Sequence, residues 1–83
     1  MAIQGVNPFA MAQAQFGAGR AGLGHRAAAE QYALGGGLLA AIEQLRLAQR
    51  DQGLDFYTAS QIDARLRELQ ARYTREMREG GLR

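Results

Sequence analysis

The sequence contains no cysteine, no tryptophan and no lysine, and it has one histidine and one proline. Without cysteine, the chain can form no disulfide framework and no zinc-thiolate site, and it has no thiol nucleophile. A single histidine leaves a metal site or a catalytic triad without the companions that it needs. We therefore expect no catalytic residues, no cofactor-binding residues and no metal site, which predicts a protein that is not an enzyme.

Large apolar side chains are also scarce in this 83-residue chain, which has room for one domain only. The hydrophobic fraction of 47% depends heavily on alanine, and the chain has three phenylalanines and three tyrosines. Eleven glycines raise the entropic cost of ordering the backbone. A chain with so little core material commonly obtains apolar surface from a partner.

Charge gives little indication of a ligand, because the formal net charge is only +2. All ten basic residues are arginine, and in the C-terminal half they alternate with aspartate and glutamate. This pattern is typical of a solvated helix face and provides no strong nucleic-acid signal. The longest weakly polar stretch, Ala33 to Ile42, is too short for a transmembrane segment. The N-terminus lacks the pattern of a cleaved signal peptide, so we expect a soluble protein.

The glycine triplet Gly35–Gly37 divides the chain into two parts of different composition. We predict a Gly/Ala-rich N-terminal arm over residues 1–37 and a helical hairpin over residues 38–83. In the arm, Asn7 and Pro8 predict the start of a short helix that ends near Gln15. The glycines from Gly17 to Gly24 predict a loop, and a second short helix follows until the triplet. The predicted fold class is all-α.

Two helices are predicted after the triplet. Apolar residues at helical spacing predict the first from Leu38 to Gln52, and Gly53 provides its C-terminal stop. Thr58 and Gln61 match a capping box at the start of the second, which runs to about Glu79. Tyr57 and Ile62 are spaced as a hydrophobic staple. The short connection predicts that the two helices are antiparallel neighbours.

The last helix carries an apolar stripe whose members are spaced by three or four residues. One seam between two helices is too narrow to cover this stripe together with the aromatic residues elsewhere. We therefore predict a protein-interaction surface that includes aromatic residues of the arm. Its candidate residues are Phe9, Phe16, Tyr32, Tyr57, Ile62, Leu66, Leu69, Tyr73 and Met77.

Three possible chemical motifs favour structural interpretations. Gly17 to Gly22 matches GxGxxG, but nothing before it resembles the strand that a dinucleotide site requires. His25 has no acidic residue closer in sequence than Glu30, and Ser60 is a lone hydroxyl near the start of a helix. We interpret the glycines as a connector and the other two residues as packed or solvated side chains.

Two features resemble bacterial assembly proteins. The segment Ala2 to Val6 resembles the start of flagellar rod-hook junction proteins. The chain length with a C-terminal helical hairpin is similar to type III secretion needle subunits, although the proline-containing turn of those subunits is absent. These resemblances imply a component of a secretion or flagellar assembly, and they assign no family.

The leading hypothesis is a structural subunit of a large protein assembly, in particular a small virion protein of a bacteriophage. Exclusive use of arginine fits a GC-rich coding sequence and hence a GC-rich bacterial host. This hypothesis places the protein in the virion or the bacterial cytoplasm, bound to protein partners or to other copies of itself. The alternatives are a secretion or flagellar component and a small helical DNA-associated or antitoxin-like regulator. A membrane-active role for the weakly charged segment Arg26 to Ile42 also stays open.

Overall fold

The computed structural model describes residues 8–80, with side chains from residue 19 onward, and it contains three helices. They are α1 (Pro8–Leu34), α2 (Leu38–Gln49) and α3 (Phe56–Gly80). No strand occurs between residues 8 and 80. The predicted all-α class is confirmed. The opening residues that resemble flagellar proteins lie outside the described part of the chain.

Helix α1 continues through the glycine-rich segment Gly17 to Gly24, so the predicted loop is wrong. The glycines there allow close packing. A Cβ atom added at Gly22 would lie 2.9 Å from Cδ1 of Leu54 and 3.0 Å from Cβ of Asp51. Gly19 has a φ of +93°, a local departure from regular helical backbone that favours glycine, and a Cβ atom added there would lie 3.0 Å from the carbonyl oxygen of Gly53. The small residues let α1 approach the connection between α2 and α3.

The glycine triplet ends α1 in a Schellman motif. Gly36 adopts a φ of +86°, which favours glycine because it has no Cβ atom. The backbone N–H of Gly37 donates to the carbonyl of Tyr32 at 2.8 Å, and that of Gly36 donates to Ala33 at 3.1 Å. These bonds satisfy carbonyl groups that the end of a helix would otherwise leave unpaired.

The connection between α2 and α3 differs in two details from the sequence-based prediction. Helix α2 ends at Gln49, three residues before the predicted end, and Asp51 then accepts a hydrogen bond from the backbone N–H of Gly53 at 2.9 Å. Helix α3 starts before Thr58. The Asp55 carboxylate accepts the Thr58 backbone N–H at 2.7 Å, so Asp55 is the capping residue and the predicted capping box is wrong.

The core lies along α2, which packs against both α1 and α3. Residues of α1 face α2 with alanine side chains, which permit close approach, whereas α3 contributes larger aliphatic side chains. The boundary at residue 37 stays a prediction, and residues on both sides of it contribute to this one core. Its buried members are Ala29, Ala33, Leu38, Ala41, Ile42, Leu45, Ala48, Ile62, Leu66 and Leu69.

Candidate protein-interaction surface

Polar contacts define the register between α1 and α3. The Arg26 guanidinium donates to Gln61 at 3.0 Å, and Arg65 forms an ion pair with Glu30 at 2.8 Å. Both pairs join residues that are 35 positions apart, so α1 and α3 run in the same direction. Because α1 ends at Leu34, the part of α3 after Leu69 has no neighbouring turn of α1 beside it.

A groove opens at this end of the molecule, between the start of α2 and the second half of α3. Its volume is about 470 Å³. Leu39 and Met77 are 56% and 55% exposed, while Tyr73 packs partly against the core. Glu76 is the one charged side chain in its lining, so an apolar partner would meet little charge there. The lining consists of Gly36, Gly37, Leu38, Leu39, Tyr73, Glu76 and Met77.

A second group of exposed apolar residues lies near the opposite end, where α2 connects to α3. Phe56 is 86% exposed, and the neighbouring Tyr57 is also exposed. Leu23 on α1 is about half exposed, and the register between the helices places it level with the first turn of α3. Uncovered phenylalanine and tyrosine side chains at a helix start are typical of surfaces that a partner covers.

The predicted interaction residues fall into three groups. Ile62, Leu66 and Leu69 are buried in the core of the single chain, so a partner could reach them only if the helices separated. Tyr32, Tyr57 and Met77 are exposed, and Tyr73 is half-buried beside the groove. Phe9 and Phe16 lie outside the residues whose side chains the structure describes.

Sequence reasoning missed Leu34, which is 85% exposed. It is the last residue of α1, directly before the Schellman turn, where the chain leaves the packed face of the helix. The glycine triplet that follows Leu34 could have predicted this exposure. It marks the end of a helix, where side chains have fewer neighbours than in the middle.

A charged cluster joins α1 to α3 beside the core. The Arg65 guanidinium binds both carboxylate oxygens of Glu30, at 2.8 and 2.9 Å, and donates to Glu68 at 3.1 Å. The hydrogen bond from Arg65 lowers the pKa of Glu30, although partial burial acts in the opposite direction. The bonds to Glu30 and Glu68 raise the pKa of Arg65. The cluster is partly exposed, so it aligns helices more than it stabilises them.

Asp51 and His25 form structural contacts near the α2–α3 connection. The Asp51 carboxylate accepts backbone hydrogen bonds from Gly22 at 2.7 Å and Gly53 at 2.9 Å. These bonds, that from Gly22 first, hold the pKa of Asp51 below its ordinary value. Nδ1 of His25 lies 2.7 Å from Oε1 of Gln44. Both side chains thus connect α1 to the α2 region.

The described part of the chain shows no arrangement typical of a metal or dinucleotide site. Among residues 8–80, no three histidine, aspartate or glutamate side chains are grouped to hold a metal ion. The GxGxxG sequence from Gly17 to Gly22 lies within α1 and follows helical residues, whereas a dinucleotide site needs a preceding strand.

Comparisons with known proteins add no further assignment. No protein-family model, curated protein or solved structure matches this chain. Over residues 8–80, the helices also fall short of the length and apolar character that crossing a membrane requires.

Proposed function

We propose that this chain is a non-enzymatic structural subunit that binds protein partners or other copies of itself in a larger assembly. One observation carries the proposal: the chain closes its own core, yet it leaves large apolar side chains uncovered at both ends. Leu34, Leu39 and Met77 are exposed at one end, and Phe56 and Tyr57 at the other. Apolar side chains grouped in this way characterise interaction surfaces.

The finer proposal is a small virion protein of a bacteriophage, located in the virion or the host cytoplasm. In this proposal residues 38–83 are the helical hairpin, and the Gly/Ala-rich arm contacts neighbouring subunits. The support comes from the chain's small size, its use of arginine for all ten basic residues and its two apolar ends. A secretion or flagellar component would use the same surfaces.

The alternative function, a DNA-associated regulator, has weaker support. Arginine side chains that bind phosphate need to be free, and two of the ten arginines are already paired: Arg65 with Glu30 and Glu68, and Arg72 with Glu76 at 3.5 Å. Binding to DNA that weakens steeply with added salt would favour the regulator over the structural subunit.

The proposal can be tested with paired surface variants of the full chain, sized by light scattering at increasing concentration. Phe56→Glu with Tyr57→Glu charges one end, and Leu39→Glu with Met77→Glu charges the groove. Ala71→Glu with Thr74→Glu is the matched control, because both positions are exposed on α3 and do not line the groove.

We expect the unmodified chain and the control to associate, and each end variant to associate less. The helical signal should be equal in all four proteins. A compact monomer at every concentration for the unmodified chain, with no protein bound to it in its native source, would contradict the proposal.

A further inference from the structure

The two ends of the molecule are different surfaces. At one end, α3 extends past the last turn of α1 and forms the apolar groove. At the other end, α1 begins well before the level of Phe56, because the 35-residue register places Phe56 level with Ala21. The longest dimension is 67 Å, whereas the 25 residues of α3 measure only about 37 Å. The two helices therefore project in opposite directions.

The N-terminal segment has the composition that suits the groove. Residues 1–18 contain no charged side chain, and the first one in the sequence is Arg20. The segment includes two phenylalanines, Phe9 and Phe16. Transfer of such a segment into the groove desolvates no charged side chain of the segment itself, so burial of its apolar side chains is favourable.

A chain cannot place this segment in its own groove. Helix α1 measures about 40 Å from Pro8 to Leu34, and the groove lies beyond its C-terminal end. Residues 1–7 precede Pro8 and span at most about 25 Å when fully extended. The groove can therefore receive this N-terminal segment only from another molecule.

We infer that the groove between α2 and α3 binds the uncharged N-terminal segment, residues 1–18, of a second copy of this chain. This inference rests on the proposed function and names the partner at that surface. Since the segment and the groove are different surfaces, the contact is heterologous and leaves one free segment and one free groove on every pair. Copies then join head to tail into an open chain or a closed ring.

A test uses two complementary variants of the full chain. The segment variant carries Phe9→Asp and Phe16→Asp and keeps an intact groove. The groove variant carries Leu39→Glu and Met77→Glu and keeps an intact segment. Both groove positions are more than half exposed, so the fold should tolerate them. If the helical signal falls, Met77→Asp alone replaces the groove pair.

Sedimentation velocity should show that each variant alone associates at least about tenfold more weakly than the unmodified chain, because aromatic anchors carry much of an interface's energy. An equimolar mixture should form a dimer and nothing larger, since only one segment and one groove remain active. Gln13→Asp with Gln15→Asp is the matched control for charge in the segment, and it should associate more strongly than the phenylalanine variant.

Three results would overturn the inference. A mixture that stays monomeric would exclude the head-to-tail contact, and so would a control that weakens association as much as the phenylalanine variant. A segment variant that still dimerises by itself would indicate symmetric pairing of two grooves, which leaves the proposed function intact. An unmodified chain that is monomeric at every concentration and binds no protein would contradict both proposals.

Discussion

The apolar stripe on α3 continues past Leu69, but only the half of the stripe up to Leu69 is buried. Leu69 is 1% exposed, whereas Met77, two turns later, is 55% exposed. Residue type does not explain this difference, since methionine is as suitable for a core as leucine. The difference arises because α1 ends before the last turns of α3, and the start of α2 faces them only across the open groove. One stripe thus supplies both the core and the proposed contact surface.

The largest effect should separate the two halves of this stripe. Leu69→Ala should lower the free energy of unfolding by about 2–5 kcal/mol, because it leaves a cavity in the core. Met77→Ala should change it by less than about 1 kcal/mol, since that side chain already contacts solvent. Urea denaturation followed by circular dichroism, at a concentration low enough to limit association, measures both values. Equal losses would show that the two halves are covered alike.

The next effect concerns glycines of α1 that share a helix but differ in their neighbours. Gly22→Ala should destabilise the fold by about 1–3 kcal/mol, because its Cβ would overlap Leu54 and Asp51. Gly24 has no atom within 4 Å of its added Cβ, so Gly24→Ala should stabilise the helix by up to about 1 kcal/mol. We expect the two variants to shift the thermal midpoint of unfolding in opposite directions. Shifts of the same sign would contradict the close approach of α1 to the connection between α2 and α3.

A smaller effect is expected at the charged cluster between α1 and α3. Glu30→Gln, Arg65→Met and the double variant form a double-mutant cycle, which measures the pair's coupling. Because both side chains are partly exposed, we expect about 0.2–1 kcal/mol. A coupling above about 3 kcal/mol would place the pair in a buried environment that the structure does not show.

The smallest effect is the acid dependence of stability. Hydrogen bonds lower the pKa values of Glu30, Asp51 and Asp55 in the folded chain. Groups with a lowered pKa stabilise the fold above their unfolded pKa, and this contribution is lost as the pH falls through the folded pKa. Stability should therefore decline below about pH 4. Asp51→Asn should make the decline shallower, and an unchanged profile would argue against the Gly22 contact.

Local sequence patterns predicted the helical class, the start of α2 and the helical spacing of the stripe on α3. They failed where two local signals competed. Asp55 and Thr58 are both good capping residues, and the hydrogen bond that decides between them depends on the path of the connection. The glycines before Gly24 have low helix propensity, but packing against Leu54 outweighs it in α1.

The groove could be predicted only in part, because the stripe's spacing does not reveal how far its neighbours extend. Tyr73 and Met77 were identified as candidate contact residues from spacing alone. Leu69 is buried, whereas these two residues are not fully covered. This difference in burial depends on where α1 ends beside α3, which follows from the 35-residue register that the contacts of Arg26 and Arg65 define. Such long-range pairings leave no periodic signal in a single sequence.

Hydrogen exchange of the full chain at low and high protein concentration tests most directly whether the open end of α3 is a contact surface. Residues 62–69 lie in the closed core, so their amides should exchange slowly at both concentrations. Residues 70–80 should exchange fast in dilute solution and clearly more slowly when copies associate. The same exchange rates at both concentrations for residues 70–80, in a sample whose mass shows association, would contradict this account.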